Sequence, residues 1–260
     1  MWFVVDIGNT NTVFGLYDSE PVRQRRLWRI SSDQERTADE ITLLLEQLLG
    51  SAAAEAQKIE GAVIGSVVPA LTQAYREAVS AVLECRPVEV SSRLDLDLKI
   101  ALRHPEQIGA DRLANAVAAR QRYRGAVIVV DFGTATTFDV ISAVGEYLGG
   151  AIAPGVHTSA RDLFSRAAKL PSFVEIREPP AVIGKTTEES ILSGLFFGTI
   201  GQVDGVVRKI SEQLGEDVTV VATGGLAHLI APRSATIGEV CPDLTLVGLV
   251  LIGKMIAESG

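Results

Sequence analysis

One short pattern of residues occurs twice in this chain, once in each half. The segments VVDIGNTNTVFGLY (4–17) and VVDFGTATTFDVI (129–141) each pass from an apolar run, through Asp and Gly, into a hydroxyl-rich turn and a second apolar run. In an ungapped comparison Asp131 aligns with Asp6, 125 positions earlier. Repetition at nearly half the chain length predicts a duplicated strand–turn–strand unit, and therefore a duplicated domain.

The remaining turn positions align in the same ungapped comparison. Gly8, Asn9 and Thr12 fall on Gly133, Thr134 and Thr137. Between the repeats the pattern alternates between helices and strands, which predicts mixed α/β sheets flanked by helices. We expect two such domains, at 1–115 and 116–260, with a cleft between them and the final helix able to pack back on the first domain.

Composition limits the class of partner. The chain has 260 residues, a formal net charge of −8 and 47% hydrophobic residues, which is typical of a soluble globular protein. An acidic protein attracts nucleic acid only through a local basic patch, and the cluster Arg23, Arg25 and Arg26 is flanked by acidic residues and is interpreted as a solvated hairpin. Cys85 and Cys241 have no metal or disulfide spacing. We expect a cytoplasmic protein with no nucleic-acid or membrane partner.

The polar turn suits a phosphate ligand. Asp6 follows an apolar strand, at the end where open sheets bind ligands. Gly8 lets a ligand approach the backbone closely, and the amides and hydroxyls after it suit phosphate oxygens, while the carboxylate suits hydrated Mg²⁺. One such turn is equally explained as a polar hairpin, but two in one chain favour the two walls of a nucleotide cleft. The turns GGAIAPG (149–155) and TGGLA (223–227) could admit a flat base, although each alone is more often a simple turn.

The order of these motifs resembles the acetate and sugar kinase, heat-shock chaperone and actin superfamily, and within it the type III pantothenate kinase family. The matching motifs, in chain order, are DIGNTNT (6–12), SVVP (66–69), HPEQIGADR (104–112), DFGTATT (131–137), GGAIAPG (149–155), LP (170–171), IGKTTEESILSG (183–194) and TGGLA (223–227). GADR is the specific part of this resemblance.

The resemblance implies that the two domains are duplicated ribonuclease H-like domains of the actin-like ATPase type. It also implies a kinase that transfers the γ-phosphate of ATP to the primary hydroxyl of pantothenate, the first step of coenzyme A biosynthesis. It implies ATP with Mg²⁺ and a monovalent cation, K⁺ or NH₄⁺, as cofactors, and a homodimer as the working form. The implied ATP-binding residues are Asp6, Ile7, Gly8, Asn9, Thr10, Asn11, Thr12, Val13 and Thr134, with Asp6 also holding Mg²⁺ through ATP. The implied pantothenate-binding residues are Gly109, Ala110, Asp111, Arg112 and Thr187. Asp131 is implied as the monovalent-cation ligand, and Asp111 as the catalytic proton acceptor.

Several positions keep a second interpretation. Asp111 lies where a turn enters a helix, so its position alone fits a helix cap. The family often has Tyr at the position of Leu102 and usually Asn at that of Thr186, which puts the exact pocket contacts in question. Gly194, Gly198, Gly201 and Gly205 predict a smooth helix face for close packing, in the core or against a second subunit. A non-enzymatic nucleotide-binding accessory or regulatory protein of the same fold is the alternative function.

Overall fold

The structure is a computed structural model that describes residues 1–166 and 174–259. The expected LP motif at 170–171 lies outside the described residues. Strands are numbered in chain order as β1 (Trp2–Ile7), β2 (Asn11–Asp18), β3 (Arg23–Ser31), β4 (Gly61–Ser66), β5 (Val88–Glu89), β6 (Lys99–Ile100), β7 (Ala126–Phe132), β8 (Ala135–Ile141), β9 (Glu146–Pro154), β10 (Val218–Gly224) and β11 (Glu239–Val240). Helices are α1 (Ala38–Gly50), α2 (Ala53–Ala56), α3 (Pro69–Leu83), α4 (Ala110–Arg122), α5 (Val156–Arg166), α6 (Thr187–Leu214), α7 (Ala227–Ile230) and α8 (Leu244–Ser259).

The chain forms two compact units. One consists of Met1–Gln121 with Leu244–Gly260, and the other of Arg122–Asp243. The first unit contains α8, which packs against β1 and β4. It also contains nearly all of α4, the helix that a boundary at 115/116 would divide.

The sheet of the first unit has the strand order β3-β2-β1-β4-β5. Its strands β1, β2 and β3 form antiparallel hairpin pairs, whereas β4 runs parallel to β1 and β5 parallel to β4. Antiparallel neighbours need only short turns, while parallel neighbours need a crossover, and α3 provides the crossover between β4 and β5. The result is a mixed sheet.

Five strands of the second unit repeat this arrangement in the order β9-β8-β7-β10-β11. Again the first three strands pair antiparallel, and the last two add in parallel. The crossover between β7 and β10 contains α6. The duplicated mixed-sheet α/β fold expected from the repeated pattern is therefore confirmed, strand for strand.

Apolar side chains on alternating strand positions bury one face of each sheet under helices. In the first unit, Phe3, Phe14 and other residues of that face pack with α1 and α3. The helix α1 starts at the predicted capping box, since Thr37 and Glu40 accept hydrogen bonds from each other's backbone N–H groups. In the second unit, Phe138 and its neighbours pack against Phe196 and Val203 of α6.

The two hairpins differ in length by one residue, which corrects the ungapped comparison. The turn after β1 closes with a hydrogen bond from Gly8 N to the carbonyl oxygen of Asn11 (3.0 Å), while the turn after β7 closes from Gly133 N to the carbonyl oxygen of Ala135, also 3.0 Å. Because the second turn is one residue shorter, every later residue of β8 corresponds to a position 124, not 125, residues earlier.

The equivalent of Thr12 is therefore Thr136, and the alignment of Thr12 with Thr137 is wrong. Thr12 pairs with Ile7 and Thr136 pairs with Phe132, and both hydroxyl residues are buried, Thr12 on the strand face of Phe14 and Thr136 on that of Phe138. A one-residue shift moves a side chain to the opposite face of a strand. Thr137 consequently lies on the other face.

The basic cluster lies on the strand β3, which the first unit places at the edge of its sheet. Arg25 Nε donates to Asp18 Oδ2 at 2.6 Å, and Arg26 is paired with Glu55 at 3.0 Å. These partners agree with the solvated β2–β3 hairpin expected from the flanking acidic residues.

The long helix α6 is the one helix, among the described residues, whose length and composition would allow it to cross a membrane. Of its most apolar 18-residue window, 33% is buried inside the protein. Core helices of soluble proteins also meet these two criteria, so the helix alone is weak evidence for a membrane span.

Candidate functional site

The first polar turn follows β1 at the carboxyl end of that strand. Asp6 is half-buried there, and its neighbours across the two pairings are Val13 on β2 and Gly65 on β4. The turn residues Asn9 and Thr10 are exposed. The turn thus presents backbone and polar groups to solvent beside a carboxylate, which is the arrangement that a nucleotide phosphate with Mg²⁺ requires.

Ser32 holds this turn in shape, although the sequence pattern did not reveal it. Ser32 Oγ donates to the carbonyl oxygen of Gly8 at 2.6 Å and lies 2.9 Å from Thr12 Oγ1. Its backbone N–H donates to the carbonyl oxygen of Thr10 at 2.9 Å. The Thr12 hydroxyl is thus occupied inside the protein, so any role of Thr12 with ATP falls to its backbone or to its support of the turn.

Asp111 is the second residue of α4. It lies within the first helical turn and not at the preceding cap position, which Gly109 occupies. Its Oδ1 accepts a hydrogen bond from the backbone N–H of Arg112 at 2.8 Å. Burial raises the pKa of the Asp111 carboxyl above its usual range, although the N–H and the charge of Arg112 act in the opposite direction. A raised pKa makes the carboxylate a better proton acceptor.

Glycine at position 109 leaves space for this carboxylate. A Cβ atom built on Gly109 would lie 2.4 Å from Asp111 Oδ1 and 3.3 Å from a side-chain carbon of Val67. The glycine of GADR therefore makes room for the Asp111 side chain in its observed position.

In the first unit, the GADR segment and the Asp6 turn lie at the same end of the sheet, where the strands β1 and β4 have their carboxyl ends. Gly65 is the register partner of Asp6 on β4, and a Cβ built on it would lie 3.8 Å from the Cβ of Ala110. Val67, which also lies near Gly109, donates its backbone N–H to the carbonyl oxygen of Ile7 at 3.0 Å. The carboxyl ends of β1 and β4 therefore support both motifs.

The second polar turn follows β7 and is held from the start of α5. Asp131 is half-buried and Thr134 is exposed. The carbonyl oxygen of Thr134 accepts hydrogen bonds from Gly155 N (3.2 Å) and from Thr158 Oγ1 (2.7 Å). A Cβ on Gly155 would lie 2.4 Å from that oxygen, so glycine is needed there. Thr158 was not expected from the sequence, since a single hydroxyl in a helix carries no pattern.

Gly224, in the TGG turn, packs directly on Asp131. Its φ of +87° lies in the left-handed region that favours glycine. A Cβ atom at this position would lie 2.4 Å from Asp131 Oδ1 and 2.7 Å from backbone atoms of Phe132. The turn after β10 therefore lies against the Asp131 carboxylate.

Thr187 is the exposed first residue of α6, and Thr186 is its N-cap. Thr186 Oγ1 accepts a hydrogen bond from the backbone N–H of Glu189 at 3.1 Å. Asn and Thr are both good N-caps, so the replacement of the family's Asn by Thr186 retains the start of the helix. Leu102, the other departure, is half-buried.

The donor atoms fit the ions that the resemblance implies. Mg²⁺ is usually bound by one or two carboxylates together with substrate phosphates, and Asp6 beside the first turn offers one. Within residues 1–166 and 174–259, no three His, Cys, Asp or Glu side chains converge as a self-contained metal cage. At the second turn, Asp131 and the hydroxyl of Thr137 project from directly opposed positions of β7 and β8, and oxygen donors of this kind suit a hard cation.

Comparison with solved structures agrees with the fold. A protein of Campylobacter jejuni described as a conserved Baf family transcriptional activator is 19% identical, with a TM-score of 0.59 over 98% of this chain and 99% of that one. The inorganic polyphosphate/ATP-glucomannokinase of Arthrobacter sp. strain KM is 14% identical, with a TM-score of 0.51 over 100% of this chain and 99% of that one. At these identities the likeness concerns the fold alone, which is that of the actin-like ATPases and sugar kinases.

Sequence comparison goes further than the fold. The type III pantothenate kinase of Syntrophotalea carbinolica is 47% identical over 252 residues, which cover 97% of this chain and 98% of that protein. The family model described as type III pantothenate kinase matches residues 2–209. The match includes the turn at Asp6, the GADR segment and the turn at Asp131, so the chain belongs to the type III pantothenate kinase family.

Proposed function

We propose that this protein is an ATP-dependent pantothenate kinase, which transfers the γ-phosphate of ATP to the primary hydroxyl of pantothenate and so begins coenzyme A biosynthesis. The observation that carries the proposal is the pairing of a GADR carboxylate with an Asp–Gly polar turn at one sheet edge of the first unit. A type III pantothenate kinase that is 47% identical over 97% of this chain supports the choice of pantothenate as the acceptor.

In this reaction Asp111 accepts the proton of the pantothenate hydroxyl. The hydroxyl oxygen forms a bond to the γ-phosphorus, the bond from that phosphorus to the bridging oxygen breaks, and ADP leaves with the electron pair. Burial supports the role of Asp111 because it raises the pKa of that carboxyl. The residues Gly109, Ala110 and Arg112 border the acceptor.

We assign the contacts with the ATP phosphates to the eight residues from Asp6 to Val13 and to Thr134. Asp6 would hold Mg²⁺ through ATP, and the ion would supply neutralisation of the charge on the transferred phosphoryl group. Thr187 contacts pantothenate from the start of α6, and Asp131 holds a monovalent cation.

The alternative, a non-enzymatic nucleotide-binding regulator, is not favoured. A regulator needs no proton acceptor, whereas Asp111 is a buried carboxylate whose Oδ1 is held by the backbone N–H of Arg112. We place the enzyme in the cytoplasm, with pantothenate and ATP as its small-molecule partners and with no nucleic-acid or membrane partner.

A direct test is ADP release with Mg-ATP across a panel of primary alcohols that includes pantothenate. We expect turnover with pantothenate alone. Release of ADP with no alcohol, or equally with several unrelated alcohols, would contradict the assignment of the acceptor.

The cation site leads to a prediction about potassium. We expect turnover to rise with potassium or ammonium, and Asp131→Asn to weaken this dependence, because the substitution removes the negative charge that attracts the cation. Steady-state rates are compared in potassium and in tetramethylammonium at matched ionic strength. Equal wild-type rates in the two salts would remove Asp131 from this role.

The proposal includes a homodimer whose interface helps to close the pantothenate site, since a flexible acceptor requires an enclosed and dry pocket. The glycine face of α6 supports this idea. A Cβ atom built on Gly194, Gly198, Gly201 or Gly205 meets nothing within 4 Å among the described residues. Among the described residues nothing packs on this face, so we assign its packing partner to a second subunit.

This geometry sharpens a prediction about Gly198. We expect Gly198→Leu to leave the folded single chain intact but to weaken dimerisation, because a bulky side chain overpacks only a contact made by a second subunit. Sedimentation velocity and thermal melting measure the two effects, and Gly50→Ala at the open end of α1 provides a glycine control. A wild-type monomer with full pantothenate turnover would contradict the shared pocket.

A further inference from the structure

A carboxylate without a role in the proposed reaction lies inside the second unit. Asp139, on β8, has none of its surface exposed. Tyr147 Oη, also fully buried, donates a hydrogen bond to Asp139 Oδ1 at 2.6 Å. Thr137 Oγ1 donates to Asp139 Oδ2 at 3.2 Å. Burial of a carboxylate is costly unless its oxygens accept hydrogen bonds, and here both oxygens are held by hydroxyl groups.

The register of the β7–β8 pair places Asp139 and Thr137 on the same sheet face as Asp131. Thr137 is directly opposite Asp131 in the antiparallel β7–β8 pair, so their side chains project from the same face with Cβ atoms about 4.5–5.5 Å apart. Thr137 and Asp139 are two residues apart on one strand, and therefore share that face as well. The hydroxyl of Thr137 thus lies between two carboxylates.

The proton of that hydroxyl determines what its oxygen can bind. A threonine hydroxyl has one proton to donate and two lone pairs to offer. Because the Thr137 hydroxyl donates its hydrogen bond to Asp139 Oδ2, the lone pairs of its oxygen remain for the side that faces Asp131. An oxygen with its proton directed away attracts a cation, whereas one with its proton directed toward the cation repels it.

We propose that Asp139 and Tyr147 are positioning residues for a monovalent cation: Asp139 accepts the hydrogen bond of the Thr137 hydroxyl, and the lone pairs of the Thr137 oxygen thereby become a second cation ligand beside Asp131. The inference rests on the cation site of the proposed function and extends it to three further residues. The ligand class is a singly charged cation of the size of potassium or ammonium.

The first unit provides an internal comparison. In its hairpin the positions that correspond to Thr137 and Asp139 are Val13, opposite Asp6, and Gly15. Neither can donate, accept or ligate through its side chain. The shorter turn of the second unit is what places hydroxyl and carboxylate on the face of Asp131, so this arrangement belongs to the second turn alone.

Three isosteric variants test the inference in the full-length protein. Thr137→Val removes the proposed ligand oxygen. In Asp139→Asn, the Tyr147 hydroxyl continues to donate to the amide oxygen, so the amide N–H₂ group faces Thr137 and turns the threonine proton toward the cation. Tyr147→Phe leaves Asp139 charged but without its anchor. Thr136→Val, the same change one residue away on the opposite face, is the matched control.

Two readouts are measured for each variant over a potassium titration, with tetramethylammonium maintaining the ionic strength. One is the potassium concentration for half-maximal pantothenate turnover. The other is the potassium-dependent rise in melting temperature with saturating Mg-ADP, which reports cation binding without turnover. We expect Asp139→Asn and Thr137→Val to raise the required potassium concentration about 10–100-fold in both readouts, the usual range for groups that orient a metal ligand. At saturating potassium, the Michaelis constant of these variants for ATP should stay close to that of the wild type. The Thr136→Val variant should keep the wild-type potassium requirement in both readouts.

Other outcomes would overturn the inference. Variants that melt at lower temperatures but keep the wild-type potassium requirement would show that Asp139 and Tyr147 act only in packing. An equal shift in Thr136→Val and Thr137→Val would remove the dependence on the strand face. If the wild-type protein binds potassium but phosphorylates no pantothenate, the proposed function fails while the melting readout still decides the inference; absence of any potassium shift in wild type overturns it.

Discussion

Asp111→Asn is expected to lower pantothenate turnover by about 10²–10⁴-fold, the usual contribution of a general base, while ATP binding and the fold are retained. Asparagine has the size of aspartate and can still accept the Arg112 backbone hydrogen bond through its amide oxygen. It cannot take up the proton of the acceptor hydroxyl. Steady-state kinetics with pantothenate, together with a nucleotide-binding titration, separate these two effects.

The same substitution should raise the thermal stability of the substrate-free protein at neutral pH. Burial raises the pKa of Asp111 in the folded state, so the fold disfavours the ionised carboxylate. This cost is fully present above the folded-state pKa, and it disappears below the ordinary value of an aspartate, about 3.9. The gain from Asp111→Asn should therefore shrink as the pH falls through this interval, which thermal melts over a pH series would measure.

Asp39 provides a matched control for both effects. Like Asp111, it is the second residue of a helix and follows an alanine, but it is exposed. Asp39→Asn should keep full turnover and lose a little stability at neutral pH, since a carboxylate in the first turn of a helix favours it by about 0.3–1 kcal/mol. If Asp111→Asn behaved like Asp39→Asn, Asp111 would be a residue of helix stability and not the proton acceptor.

The second large effect is expected for Gly224→Ala. Alanine strongly disfavours the φ of +87°, and its Cβ would overlap the Asp131 carboxylate and the backbone of Phe132. Strain from an unfavourable backbone conformation alone costs about 1–3 kcal/mol. Displacement of Asp131 should also reduce turnover by about 10²-fold, the scale of a displacement of about 1 Å near the reacting groups.

Gly225 is the control for this substitution. Among the described residues, a Cβ on Gly225 meets nothing within 4 Å, so Gly225→Ala changes the same turn without a clash there. We expect Gly225→Ala to melt and turn over like wild type, while Gly224→Ala melts at a lower temperature and requires more potassium. Indistinguishable behaviour of the two variants would show that contact of the TGG turn with Asp131 has no functional weight.

The sequence by itself determined the duplication, the mixed-sheet α/β class and the positions of Asp6 and Asp131 at strand ends. These features depend on local properties, namely the apolar period of the strands and the turn chemistry of Gly, Asn and Thr, and local properties are preserved in a linear pattern. The GADR segment also stood out, but only through its resemblance to a family.

Only the tertiary structure decided which face each hydroxyl occupies. The turn closed by Gly133 is one residue shorter than the turn closed by Gly8, and this difference reverses the alternation of every following side chain. In the sequence, the shorter turn could have been recognised only by placing a one-residue gap in the comparison, which aligns Phe14 with Phe138.

Contacts between distant segments decided the rest. Ser32 and Thr158 each anchor a turn 24 residues away, and their hydroxyls carry no pattern that distinguishes them from other surface residues. The burial that raises the pKa of Asp111 is likewise a property of the folded chain, in which the start of α4 lies near Gly65 of β4. Such effects depend on which atoms meet in space, and for this reason the sequence predicted the candidate residues while the fold determined how each is held.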